Sequence, residues 1–206
     1  MNTLVIQPTV TAQWQALVHE AEQVCHTHLG EELQSYLVFL LMHYTKASEL
    51  SSSVLALEYL SSMEAHGQVR HERLREVGDK CLLYAGLFPG QAERRRVRIS
   101  YYVNIGVNAY ALLASSLVGM RARIFNELSY QFVLLMDVLQ AARELGTDVP
   151  ALQPLQAIEL WNDTGSQHAF VTLSRYTQAM PIKLGLNHSK STYYKVTRRR
   201  NKLPCN

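Results

Sequence analysis

Hydrophobic positions recur along this chain at the three-to-four-residue spacing of amphipathic helices, and no pair of alternating segments joined by a hairpin turn interrupts them. From Thr11, which suits an N-cap, the residues Trp14, Leu17, Val18, Ala21, Val24 and Cys25 mark one face, and Gly30 suits a C-terminal stop. His19, Glu20, Glu22 and Gln23 fall on the opposite, polar face. A second helix, 31–44, opens with Glu31 and Glu32, which complement the positive end of the helix dipole. Its run 36–42 is apolar on every side, which predicts the central helix of the fold. A third, 48–65, is expected to turn Leu50, Val54, Leu57 and Leu60 inward. The fourth, 68–85, is charged in its first half, buries Leu74, Val77, Cys81 and Leu82, and sets Arg75 one turn before Asp79.

A Gly-Leu-Phe-Pro-Gly turn at 86–90 and a basic stretch at 93–98 precede an apolar helix over 100–117. The longest helix is expected over 119–145, closed by Gly146. Two more follow, one through Leu155, Ile158 and Trp161, the other from Ser166 through Phe170, Leu173 and Tyr176, with turn residues 162–165 between them. The pattern predicts an all-α, single-domain bundle of roughly seven or eight helices over residues 1–180. Residues 181–206 lose the periodicity and form a basic C-terminal tail, expected to be flexible.

Charge sharpens that boundary. The chain has 20 Lys and Arg against 17 Asp and Glu, a net of +3. Seven of the bases and none of the acids lie in 181–206, so the body is acidic and the tail carries the positive balance. Lys195, Arg198, Arg199, Arg200 and Lys202, beside Tyr193 and Tyr194, could neutralise phosphates and stack on unpaired bases, or meet an acidic protein partner. Arg70, Arg73, Arg94, Arg95, Arg96 and Arg98 would extend that surface if folding gathers them.

Candidate chemistry is sparse. Three cysteines without a Cys-x-x-Cys pair suggest neither a disulfide framework nor a zinc pair, and point to a reducing compartment. Cys25 and His28 lie one turn apart with Glu22 a turn earlier, but no further ligands are nominated, and no Glu-x-x-His occurs. Neither Gly-x-Ser-x-Gly nor a phosphate-binding glycine loop is present. Asp163-Thr164-Gly165 reads as a turn before a helix cap. Asn104 and Asn108 sit one turn apart on the apolar helix near Tyr101; as buried amides they would fix packing or line a small ligand pocket. The first residues lack the pattern of a signal peptide, and the run 36–42 is too short to cross a bilayer, so a cytoplasmic protein without membrane contact is expected.

The segment 74–90, leading into Arg94-Arg95-Arg96 and Tyr101-Tyr102-Val103, resembles uncharacterised conserved bacterial helical proteins of unknown function over about a third of the chain. The resemblance implies a helical fold and carries over no functional residue. The expected function is therefore that of a non-catalytic interaction or adaptor protein of a bacterial cytoplasm, binding a protein partner or its own copy, with no cofactor or metal. The alternatives are nucleic-acid binding through the tail, and a helical enzyme or ligand carrier with its pocket at Tyr101, Asn104 and Asn108.

Overall fold

A computed structural model describes residues 9–45, 54–147 and 149–176. Every regular element among them is a helix: α1 (Val10–Val24), α2 (Glu31–Thr45), α3 (Leu55–Glu64), α4 (Gly67–Gly86), α5 (Gly90–Arg94), α6 (Ile99–Ser116), α7 (Gly119–Tyr130), α8 (Phe132–Glu144), α9 (Pro154–Thr164) and α10 (Gln167–Tyr176). The all-α reading holds, with two more helices than the upper expectation. One is the short α5, which runs from the end of the expected turn at Gly90 into the start of the basic stretch. The other arises at Gln131, whose backbone (φ −97, ψ 14) leaves the helical region and divides the expected 119–145 helix into α7 and α8. The break leaves the hydrogen bonds Gln131 N to Glu127 O and Leu135 N to Gln131 O in place, so the apolar period passes through it unchanged.

Local chemistry explains several boundaries. Thr9, not Thr11, caps α1, its hydroxyl accepting from the Ala12 amide at 3.2 Å. The helix stops at Cys25 because His26 takes a left-handed backbone (φ 51). Gly30, expected as a stop, instead begins α2, its carbonyl accepting from the Leu33 and Gln34 amides. Gly165 (φ 77) ends α9 in the left-handed conformation that glycine tolerates best. The Ser166 hydroxyl then accepts from the Ala169 amide at 3.0 Å, so the expected cap is found, whereas residues 162–164, expected in a turn, form the end of α9.

The centre of the bundle is α4, α6 and α8. Every residue from Val77 to Gly86 is buried, as are Phe132, Leu135, Met136, Val138 and Leu139 on α8. The α1–α2 pair packs through α1 on α8, the α9–α10 pair lies on α6 and α8, α3 lies on α4, and α7 folds back along α6. The expectation that α2 is central is corrected: Leu37, Val38, Leu40 and Leu41 are buried, but Phe39 is 63% exposed. Its run is apolar all round, yet neighbours cover it on one side only. No helix among the described residues is long and apolar enough to cross a membrane.

Candidate functional site

Three places combine polar chemistry or open apolar surface in a way that packing alone does not explain. The first is a buried carboxylate on α4. Asp79 Oδ1 accepts from the Tyr36 hydroxyl at 2.5 Å and the Tyr110 hydroxyl at 2.7 Å, tying α2, α4 and α6 together. Its other oxygen lies 3.7 Å from Arg75 Nε, so the one-turn spacing in the sequence becomes a contact. Burial pushes the Asp79 carboxyl up to about 6, against the opposing pull of the two tyrosine bonds, Arg75 and His43. Burial and the same carboxylate push both tyrosine hydroxyls well above their usual value. A cleft of about 360 Å³ opens beside Asp79, and along it Lys80 is paired with Glu76 at 2.6 Å and with Glu58 at 3.1 Å. This centre ties α2, α4 and α6 together through Asp79.

The second is the α8–α10 junction. Asp137 Oδ1 accepts from the Ser166 hydroxyl at 2.6 Å, and Oδ2 accepts from the Gln167 and His168 amides at 2.9 and 3.3 Å. One α8 carboxylate thus satisfies the open amides at the start of α10. Burial would also raise Glu144, one helix end away, but its bonds to His168, the Ala151 amide and Arg175 hold it below the ordinary carboxylate range. Replacing Asp137 with alanine is expected to cost about 3 kcal/mol, since three donors lose their acceptor together. The loss should appear as faster amide exchange in α10 while α4 and α6 keep their protection.

The third is the outward face of α3. Val54, Leu57, Leu60 and Met63 are 56%, 63%, 58% and 42% exposed. This corrects the expectation that Val54, Leu57 and Leu60 face the core; Leu50 lies outside the described residues. The inward side instead carries Leu55 and Ser62, with the half-buried Glu58 bonded to Lys80 and the Arg73 guanidinium donating to the Ser61 carbonyl. α3 thus meets the body of the protein through Leu55, Tyr59 and these polar contacts, while Leu57 and Leu60 face solvent. A second open apolar surface, a groove of about 710 Å³ between α2 and α7, is lined by Tyr36, Phe39, Met120 and Ile124, with Glu31 and Arg121 among its polar edges. Met120 there is 74% exposed.

The residues singled out from the sequence fall elsewhere. Lys195, Arg198, Arg199, Arg200 and Lys202 lie outside the described residues. Arg70 and Arg73 stand near the start of α4 and Arg94–Arg96 beyond its end, roughly 20 Å or more apart along the helix, so these arginines do not form one patch. Arg98 is engaged by Glu159 and Asp163 at 3.6 and 3.4 Å. Asn104 and Asn108 are exposed, which corrects the expectation of buried amides, and Tyr101 packs half-buried and edge-on against Tyr102 at 5.4 Å. Cys25 donates to the Asp137 carbonyl at 3.5 Å, and burial pushes its thiol up to about 12. Among the described residues no three His, Cys, Asp or Glu side chains are grouped to hold a metal.

Sequence reasoning missed Glu22, placed on a polar face but 1% exposed, where it accepts from the Leu29 amide at 2.6 Å and Gln34 Nε2 at 2.7 Å. It also missed Asp79 and Asp137 as buried centres. The available signal was an acid within an otherwise apolar stretch, as at Met136-Asp137-Val138. Comparison with protein-family models, with curated proteins and with solved structures finds no match to this chain.

Proposed function

We propose that this chain is a non-catalytic interaction protein and that the outward face of α3 is its docking surface. The observation that carries the reading is that Leu57, Leu60 and Met63 of α3 face solvent, while Leu55, Ser62 and the Glu58–Lys80 ion pair face the protein. Isolated exposed hydrophobic residues are common, whereas Leu57, Leu60 and Met63 recur at every third position of one ten-residue helix, a cluster of the kind that partners cover. The buried acids add support, since each is committed to bonds that hold helices together.

The test places a photo-crosslinking residue at position 57, with position 171 on α10, where Val171 is also about half exposed, as control. In the native host, position 57 is expected to give discrete adducts at least tenfold more abundant than position 171. Equal labelling at the two sites would overturn the reading. Leu57→Glu is expected to abolish the interaction while changing stability by no more than about 0.5 kcal/mol, because the side chain packs against little.

A further inference from the structure

The charged first half of α4 runs beside an apolar wall at the turn between α6 and α7. A cleft of about 320 Å³ opens between them, within the range of about 300–1,000 Å³ that small-molecule sites occupy. Leu113 and Leu117, one turn apart at the end of α6, and Phe125 of α7 form its apolar side. His71 and Arg75, also one turn apart, border it from α4, and Arg121 borders it from α7, one turn before Phe125.

The cations are available. Among the described residues neither His71 nor Arg121 has a hydrogen-bond or ion-pair partner. Arg75 meets Asp79 through Nε at 3.7 Å, longer than a hydrogen bond, which leaves its guanidinium donors open. Glu72, the acid on this lining, accepts from Gln68 Nε2 at 3.1 Å. Two guanidiniums against one carboxylate leave the lining with a single net positive charge at neutral pH.

We propose that this cleft is a binding site for a monoanionic carboxylate carried on an apolar body, a site independent of the α3 face. Guanidinium groups from two helices converge on one carboxylate in the geometry that arginine favours, and the single net charge suits a monoanion better than a dianion. Leu113, Leu117 and Phe125 take the apolar body out of water. Arg121 also borders the groove between α2 and α7, but Glu31 and Glu32 there oppose an anion, whereas on the cleft side Arg75 and His71 attract it.

The experiment titrates the full chain, labelled at its leucine and methionine methyl groups, with octanoate, octylamine, acetate and inorganic phosphate, and follows the methyl signals by NMR. Octanoate is expected to saturate with a dissociation constant of about 0.1–1 mM and to move the Leu113 and Leu117 signals. Octylamine has the wrong charge, acetate lacks the apolar body and phosphate lacks it too; each should bind at least about tenfold more weakly. Arg121→Gln should weaken octanoate at least about fivefold and Arg121→Lys less. Arg123→Gln is the control, since Arg123 lies on the same helix but pairs with Glu127 and does not line the cleft. It should leave the affinity unchanged. Unchanged circular dichroism and melting confirm that the variants fold.

No shift at several millimolar octanoate overturns the inference, as does an octylamine affinity equal to that of octanoate or an Arg121→Gln variant that binds as wild type does. Phosphate binding as tightly as octanoate would replace it with a bare anion site. Shifts centred on Met120 rather than on Leu113 and Leu117 would place the ligand in the α2–α7 groove and overturn it as well. Crosslinking at position 57 is independent of all these outcomes, because the cleft and the α3 face share no residue.

Discussion

Replacing Gly106 with alanine is expected to cost about 3 kcal/mol and to lower the melting temperature by roughly 6–12 °C. A Cβ built on Gly106 would stand 2.4 Å from two ring carbons of Phe132 and 3.0 Å from Cys81 Cβ. Neither neighbour can yield cheaply. Phe132 is fully buried and packs against the Tyr110 ring at 6.0 Å, while Cys81 sits in the unbroken buried stretch of α4. Gly78 presents the same condition from the other helix, its Cβ falling 2.4 Å from the Tyr110 ring. Because the Tyr110 hydroxyl is held by Asp79, Gly78→Ala should disturb the buried carboxylate as well. Gly90, which has nothing within 4 Å and an ordinary backbone, is the control, and its alanine variant should melt within about 2 °C of wild type. A thermal melt followed by circular dichroism reads all three; a Gly106→Ala melt matching wild type would mean that α4, α6 and α8 are not packed this closely.

The second large effect is a dependence of stability on pH that one amide should remove. Asp79 has an ordinary value of 3.8 and is raised by burial to about 6 in the folded chain. The folded state therefore holds this proton more tightly than the unfolded state. The associated stability is fully present below about 4, declines as pH rises, and is lost by the time pH passes 6. A difference of about two pKa units corresponds to about 3 kcal/mol across that window. Asp79→Asn cannot ionise, and its carbonyl oxygen can still accept from Tyr36 and Tyr110. Its contribution should be flat from pH 4 to 8, leaving the variant at least as stable as wild type at pH 7.5 and close to it at pH 4. Asp79→Ala is also insensitive to pH at this site, but it strands two hydroxyl groups, at about 1–3 kcal/mol each, and should be the less stable variant throughout. Urea unfolding of the three proteins across this range separates the outcomes. If the gap between wild type and Asp79→Asn did not change with pH, Asp79 would not be the group that titrates.

These two predictions draw on opposite degrees of legibility. That residues 68–85 form a helix burying Leu74, Val77, Cys81 and Leu82 follows from spacing alone, and the structure agrees. Nothing in the spacing reveals that Gly78 makes room for the Tyr110 ring of α6 and Gly106 for the Phe132 ring of α8. A glycine within a helical pattern reads as a local cost until the partner that needs its missing Cβ is known.

The sequence by itself determined that this chain is helical, where most of its helices lie, and how sharply its acidic body is divided from its basic end, because helical period, caps and charge are properties of neighbouring residues. Only the tertiary structure decided which faces are covered. The same apolar spacing led Leu74 and Val77 into the core and left Leu57 and Leu60 in solvent, since periodicity defines a face without saying whether another helix lies against it. Likewise Asn104 and Asn108, on an apolar helix, are exposed, whereas Glu22, on a polar face, is buried under the turn into α2. Burial depends on the number and direction of neighbours, which long-range packing sets, and for α3 that packing left the apolar face uncovered.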